Sequence, residues 1–581
     1  MVFNPRVGVY ICHCGINIAA TVDVKAVTEY AARLPGVTVS RDYTYMCSDP
    51  GQALIQKDVR ELNLNRVVVA SCSPRMHEPT FRATVAEVGL NPYCFEMANI
   101  REQCSWVHPA DAMTTQKAMQ LVASAVAKAT LLEPLEERQA SVTPSALVIG
   151  GGVAGMQAAL DIADAGFDVT LVERSPQLGG FVAGLHCTFP MMEPTAAFLP
   201  DMVQRVSEHA RIRVMTNAEV TDVAGYVGNF QVHVQQGQEK VEVSIGTIIV
   251  AIGFEPFDAR RKPELGYGVY PQVITTADFE RMAKAGEIRV NGHPPKRVVF
   301  IHCVGSRDLS IGNAYCSRVC CMVSAKQAQL VRERLPEAKV NVFYMDVRAF
   351  GKGFEEFYDR VRASGVVYRR GSPSEILRRG EGVVVRAEDT LLGEPVEIEA
   401  DLVVLAVGMM PSPTTAAISG LLKLARSSDG FFMEAHPKLR PVDTSMAGIF
   451  LAGACQGPKD IPETIAQARA AAAAAMIPLM RGTVPVEAAT AWVDEELCAG
   501  CGQCASVCTF AALSLHPVRG VMMVNAVVCQ GCGACATACP SGAITIKHFT
   551  FDQVMAQIEV VSDFGVPPMP EHAAEVEAVE A

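Results

Sequence analysis

The sequence lacks a basic excess. Lysine and arginine total 50 against 62 acidic residues, a formal charge of −12, which excludes the electrostatic footprint of a nucleic-acid binder. It lacks a long uninterrupted apolar span, and Met1–Tyr10 carries no secretory leader. The apolar run Ala470–Met476 is short, lies between Arg469 and Pro478, and reads as a buried helix. These absences lead to the expectation of a soluble, cytoplasmic protein with no membrane span. What the chain does have is cysteine, 20 residues of it in 581. Without an export signal, that many point to metal or redox chemistry rather than to a disulfide framework. The length and a hydrophobic content of 50% allow three or four domains with sizeable cores.

The stretch Ser145–Gly155 organises the rest. A short apolar strand, Leu147–Ile149, runs into Gly150, Gly151 and Gly152, and a helix opens with Val153, Ala154 and Gly155. Gly150, Gly152 and Gly155 form G-x-G-x-x-G. The first glycine makes the tight turn, the second admits a pyrophosphate, and the third packs helix on strand. The pyrophosphate then meets the free N–H groups of the helix N-terminus. Gly166 ends the helix, Val169–Val172 is a second strand, and Glu173 stands where an acid takes ribose hydroxyls. Arg174 and Gly180 are placed around the same cofactor. The competing reading, a glycine-rich turn in an ordinary α/β domain, does not account for the whole strand–turn–helix–strand–acid series.

Two later stretches resemble each other and the crossing strands of two-domain flavoprotein reductases. Thr247–Pro256 and Asp401–Pro411 each end in Ala-x-Gly-x-x-Pro, with Gly253 and Gly408 as the glycines. Gly448–Cys455 resembles the strand under the flavin in that class, with Gly453 at the turn. The usual acid is missing, since Ala454 and Cys455 follow. Beyond it, Pro462 and Glu463 open an alanine-rich helix whose N-terminus suits the flavin pyrimidine ring. Two readings of Lys459 stay open: a hydrogen bond to the isoalloxazine ring, or a solvated loop lysine.

Between these halves a nicotinamide-binding G-x-G-x-x-G is also lacking. Strands are expected at Arg297–His302 and Val340–Tyr344. The first runs instead into Cys303, followed by Cys316, Cys320 and Cys321 at the start of a helix. A helix N-terminus favours thiolates and anionic clusters. A [4Fe–4S] cluster on these four is expected; a redox-active disulfide among them is the alternative.

The carboxy-terminal region is the most explicit. Cys498, Cys501, Cys504 and Cys508 are followed by Cys529, Cys532, Cys535 and Cys539-Pro540, the spacing of a two-cluster bacterial ferredoxin. The fourth cysteine of each run serves the other cluster. Cys498, Cys501, Cys504 and Cys539 form one set, and Cys529, Cys532, Cys535 and Cys508 the other. Two zinc sites are the weaker reading. After Val560 the chain is acidic and alanine-rich, with the composition of a disordered tail.

At the amino terminus, strands at Val7–Ile11, Thr38–Thr44 and Arg66–Ala70 alternate with helices at Val24–Leu34 and Pro50–Leu62. Cys12, Cys14, Cys47 and Cys72 lie just past strand ends, the edge where open α/β sheets bind ligands. A further cluster drawn from these and from Cys94 and Cys104 is one reading, and buried free thiols the other.

Taken together, the chain resembles the HdrA-like iron–sulfur flavoproteins of heterodisulfide reductase over nearly its whole length. The resemblance rests on Cys12–Ile18, Ser71–Phe81, Asn99–Cys104, the fingerprint, Cys316–Cys321, Arg348–Gly353 and the ferredoxin runs. It implies an α/β, thioredoxin-reductase-like flavoprotein with two dinucleotide domains, an N-terminal α/β domain and a C-terminal two-cluster ferredoxin (α+β) domain. The expected segments are 1–133, the N-terminal domain; 134–145, a linker; 146–265 and 401–486, the FAD domain; 266–400, the nicotinamide-like insert; 487–548, the ferredoxin domain; and 549–581, a helix and tail. It implies FAD, [4Fe–4S] clusters, and electron bifurcation between a disulfide-reducing partner and ferredoxin. The implied partners are heterodisulfide-reductase-like B and C subunits, ferredoxin, an input linked to hydrogenase, formate or NADH, and a second copy in a homodimer. Two family features are missing, a ferredoxin-type insertion near Val220–Val250 and a Cys-Ser-x-Cys after Phe189-Pro190. The alternative function is a stand-alone NAD(P)H-dependent reductase, and a third reading is a non-catalytic docking scaffold.

Overall fold

The computed structural model describes residues 4–563. The acidic tail expected from the composition lies, from residue 564 onward, outside the described residues. The chain divides into two units, residues up to 139 together with those from 485, and residues 140–484.

In the first unit a four-stranded parallel sheet runs in the order Val37–Tyr43, Val7–Cys12, Arg66–Ser71, Phe95–Asn99. The two central strands are buried along their full length, as β-branched runs covered on both faces should be. Val7, Val9 and Ile11 pack with Val122 and Val126, whereas Tyr10 and Cys12 join Phe81 and Phe95 on the opposite face. Parallel strands end at one edge, which gathers Cys12, Cys47 and Cys72.

The ferredoxin portion consists of two short antiparallel pairs, Ala491–Val493 with Ile544–Ile546 and Leu513–Leu515 with Met522–Val524, and two single-turn helices, Gln503–Ser506 and Ala534–Thr537. Its small core includes Cys504, Cys529 and Cys535 beside Leu513, Ile544 and Ile546. It docks on the N-terminal sheet domain. Arg82 pairs with Glu487 at 3.3 Å, the Ala488 N–H donates to Tyr93 at 3.1 Å, and His548 meets the Glu133 carbonyl at 2.8 Å. The helix Phe551–Asp563 then lies along the helix Ala112–Thr130, with Gln557 donating to Ser124 at 3.3 Å.

The second unit uses one plan twice. A five-stranded parallel sheet, Ile449–Leu451, Thr247–Val250, Ser145–Ile149, Asp168–Val172 and Ile212–Met215, carries the meander Ala218–Tyr226, Asn229–Gln236, Glu239–Ile245. A second sheet, Val273–Thr275, Leu402–Val407, Arg297–Val304, Lys339–Tyr344 and Val367–Arg370, carries the meander Glu375–Arg379, Gly382–Asp389, Glu394–Ala400. The two Ala-x-Gly-x-x-Pro stretches pair with each other as Phe254–Pro256 against Met409–Pro411. The first meander occupies the stretch that has no ferredoxin-type cysteines.

Two local expectations differ from the structure. The stretch read as a linker contains the strand Arg138–Ser141. The helix from Val24 stops at Ala31 rather than Leu34, as the chain turns toward Gly36 at φ +79°.

Candidate redox centres

The fingerprint builds one end of a cavity of about 740 Å³ within the second unit. Gly150 holds φ +112°, and a Cβ there would lie 2.4 Å from the Ala251 carbonyl oxygen. A Cβ on Gly155 would lie 1.8 Å from the Gly150 oxygen. Both glycines are therefore demanded by the fold itself. Gly152 opens the helix Val153–Asp164 and faces the cavity with room to spare, its nearest neighbour being Gly180. Glu173 is 8% exposed and accepts from the Gly151 N–H at 2.6 Å and the Ser175 N–H at 2.7 Å. Its remaining lone pairs are free for hydroxyls. Val153, Ala154, Arg174, Gly180, Gly253 and Gly408 line the same cavity. Gly151, Gly155 and Gly453 lie behind it, Gly453 donating to Gln467 at 2.8 Å. A dinucleotide such as FAD fits this cradle in both shape and donors.

One acid on the cavity wall was overlooked by sequence reasoning. Cys455 turns inward and donates to the Val250 carbonyl at 3.1 Å, but Asp460 lines the cavity while capping the helix Ile461–Arg481 through the Glu463 N–H at 2.8 Å. Lys459 also lines the cavity. Its ammonium is held by Gln456 and by the Gly457 carbonyl at 3.3 Å, and burial lowers its pKa. The solvated-loop reading of Lys459 does not describe this environment.

At the other end the cavity reaches Cys320, the first residue of the helix Cys320–Arg334. Cys303, at φ +60°, ends the strand Arg297–Val304; such a conformation in a non-glycine residue costs about 1–3 kcal/mol and persists only where the surroundings enforce it. Cys303, Cys320 and Cys321 hydrogen-bond among themselves, with Cys320 as the proton carrier. That bond holds the Cys303 and Cys321 thiols below their ordinary range and pushes Cys320 up. Cys316 accepts from the Arg318 N–H at 3.3 Å, and Arg307 lies beside both Cys303 and Cys316. Arg318 ties this loop to the Lys459 loop, donating to the Pro458 carbonyl at 3.1 Å and pairing with Glu463 at 2.6 Å. Three mutually bonded cysteines, with Cys316 near the same Arg307, stand at a helix N-terminus and are donors of the type an iron–sulfur cluster takes.

Lys326 and Glu280, which sequence reasoning also missed, pair at 2.8 Å on the cavity wall. They lie on different helices and share no motif, so only a helical-wheel test for inward-facing charges would have raised them.

In the ferredoxin portion, Cys504 lies beside Cys501 and Cys539, and Cys535 beside Cys529 and Cys508. The fourth cysteine of each run thus stands with the other run. Backbone N–H groups of Met522, Ala512 and Ala491 donate to Cys498, Cys508 and Cys529 at 3.3–3.4 Å, the bonding that thiolates accept. Cys501 and Cys532 are exposed.

At the N-terminal sheet edge, Cys12 accepts from the Cys14 N–H at 3.3 Å and the Met46 N–H at 3.4 Å. Cys47 lies near Cys12 and Cys14, and so does Cys72. Burial pushes Cys72 up to about 11, opposed by Arg101. Four sulfurs at one ligand edge fit a cluster. Cys94 and Cys104 do not belong to this group. Cys94 precedes its strand and so stands at the opposite edge, beside Arg66, while Cys104 donates to the Thr114 carbonyl at 3.3 Å.

Residues 144–475 match the pyridine nucleotide-disulphide oxidoreductase family, and residues 497–543 match the 4Fe-4S dicluster domain. The chain is 49% identical to the second form of the iron-sulfur A-subunit of CoB–CoM heterodisulfide reductase from Methanopyrus kandleri, over 88% of this chain and 91% of that one. It is 46% identical to the A-subunit of the H(2):CoB-CoM heterodisulfide,ferredoxin reductase of Methanothermobacter thermautotrophicus, over 96% of this chain and 97% of the relative. Among solved structures, thioredoxin reductase of T. acidophilum aligns with a TM-score of 0.40 at 17% identity, covering 58% of this chain and 99% of that one. No helix among the described residues is long and apolar enough to cross a membrane.

Proposed function

This chain belongs to the HdrA family of heterodisulfide reductase iron–sulfur flavoproteins, and we propose that it is the FAD-containing component through which such a complex divides electrons between a disulfide-reducing partner and ferredoxin. When bound, FAD supplies the exchange between two-electron and one-electron chemistry, and [4Fe–4S] clusters supply one-electron conduction. The observation that carries the reading is the cavity itself, which runs from Gly150 and Glu173 at one end to Cys320 at the other.

The residues divide the work. Gly152 presents its backbone N–H to the pyrophosphate, Gly150, whose N–H donates to the Val172 carbonyl at 2.8 Å, makes the turn, and Glu173 accepts from ribose hydroxyls. Lys459 and the N-terminus of the helix Ile461–Arg481 set positive charge at one wall, which favours an anionic reduced ring. Cys303, Cys316, Cys320 and Cys321 hold a cluster next to the cofactor, and the ferredoxin sets hold two more. Cys12, Cys14, Cys47 and Cys72 hold a further one.

The stand-alone NAD(P)H reductase receives less support. In a nicotinamide domain the turn after the first strand is glycine-rich, and an acid ending the second strand takes ribose. Here Cys303 stands near the end of the first strand and Arg307 follows it, and Asp346, just past the strand Lys339–Tyr344, is taken by Arg307 at 2.8 Å. On this reading electrons enter through a hydrogenase-, formate- or NADH-linked partner and leave through B and C subunits and ferredoxin, in a cytoplasmic complex that holds a second copy of this chain.

The test is anaerobic mixing of the reconstituted protein with NADH or NADPH while flavin absorbance is followed. No bleaching with nicotinamide, and full bleaching with a strong low-potential reductant, is the expected result. Rapid bleaching by NADH or NADPH would overturn the relay in favour of the reductase.

A further inference from the structure

We infer that Arg101 sets the reduction potential of the N-terminal cluster, acting as a positioning and charge-tuning residue rather than as a ligand. The inference rests on the reading of Cys12, Cys14, Cys47 and Cys72 as a cluster site. Arg101 opens the short turn Arg101–Ser105 that follows the strand Phe95–Asn99, so the sheet delivers it to the edge that carries the cysteines. Its Nη1 donates to the Cys14 sulfur at 3.1 Å. Nε and Nη2 donate to one oxygen of Glu102 at 3.2 and 2.6 Å, and the Trp106 ring covers the guanidinium at 4.6 Å. The arginine side chain is only 11% exposed. The other Glu102 oxygen is buried and has no hydrogen-bond partner among the described residues.

This arrangement is more than a surface ion pair. Guanidinium stays charged at every working pH. The cluster gains one negative charge when it takes up an electron from the reductant. A cation donating to a ligand sulfur stabilises that reduced form, and hydrogen bonds to sulfur together with local charge are what set cluster potentials. Arg101 therefore raises the potential. Glu102, whose carboxylate offsets the same guanidinium, holds the rise in check. Cys14 itself is held at φ +52°, a conformation that a non-glycine residue keeps only where its surroundings enforce it.

The two residues predict shifts of opposite sign, which a purely structural role would not produce. The experiment is an anaerobic redox titration of the full-length, reconstituted protein followed by electron paramagnetic resonance, with iron content measured on each variant. Cys14→Ala identifies the N-terminal signal as the one lost together with about four iron atoms. In Arg101→Met that signal moves to lower potential, in Arg101→Lys it falls between the two, and in Glu102→Gln it moves higher, while the other signals stay in place. An N-terminal signal at wild-type potential in both Arg101→Met and Glu102→Gln, with iron content intact, overturns the role of Arg101 and leaves the cluster site standing. Should Arg101→Met lose the cluster, Glu102→Gln decides the matter, since it keeps the bond to Cys14. If Cys14→Ala retains all its iron and every signal, the cluster reading fails, and the inference falls with it.

Discussion

Lys326 and Glu280 form an ion pair at 2.8 Å with both side chains 2% exposed, on the wall of the cavity that joins the dinucleotide fingerprint to Cys320. The Lys326 ammonium also donates to the Cys187 carbonyl at 2.8 Å, and Glu280 accepts from Gln327 at 2.6 Å and from the His186 N–H at 2.9 Å.

Breaking such a pair leaves one buried charge without its partner, which costs about 3–5 kcal/mol, whereas replacing both members with apolar groups is often neutral. Lys326→Met alone is therefore expected to destabilise residues 140–484 by about that amount. Lys326→Met with Glu280→Leu is expected to recover most of the loss. Denaturant melts followed by flavin fluorescence measure both, and equal melting of the single and double variants would count against the pair as the cause.

Gly152 and Gly155 separate cofactor binding from folding. A methyl on Gly155 strikes the Gly150 backbone, while one on Gly152 meets only Gly180 at 3.9 Å. Gly152→Ala is expected to fold with wild-type Tm yet bind FAD at least about tenfold more weakly, a loss of about 1.4 kcal/mol. FAD retained after desalting measures it. Gly155→Ala is expected to fail at folding, seen as insoluble protein.

Iron content distinguishes the donor set of the insert from its neighbours. Cys303→Ala and Cys316→Ala are expected to lose about four iron atoms each while keeping FAD. Cys187 lines the same cavity but stands outside the Cys303–Cys320–Cys321 hydrogen-bonded set, and Cys187→Ala is expected to keep full iron. Iron loss in Cys187→Ala would revise the ligand assignment.

His548 makes the seam of the first unit sensitive to acid. Only 7% exposed, it has its pKa lowered chiefly by burial, with Lys128 and Arg82 acting the same way and the Glu133 carbonyl and Glu487 opposing. The unfolded chain therefore binds a proton at a pH where the folded chain does not. Stability is fully present above the unfolded value of about 6.5 and falls as pH drops below it. His548→Gln, which can still donate to the carbonyl, is expected to flatten the decline in Tm between about pH 7 and about pH 5. An unchanged slope would assign the decline to other groups.

What was legible in the sequence was local. Cysteine spacing in the ferredoxin runs, glycines at a turn and β-branched runs in a parallel sheet each express their chemistry within a dozen residues. The dinucleotide fingerprint and the two ferredoxin runs could be read for that reason. Non-local convergence could not. The sequence placed Cys12, Cys14, Cys47 and Cys72 past strand ends but did not show that the topology sends Cys94 to the other edge. Lys326 meets Glu280, Asp460 reaches the cavity wall, and Arg101 reaches Cys14 across 87 residues of chain. Each depends on which faces of separate elements pack together. A lone charged residue in a sequence has no period or spacing to mark it, so burial and partner become visible only when the tertiary structure desolvates the group and supplies the opposite charge.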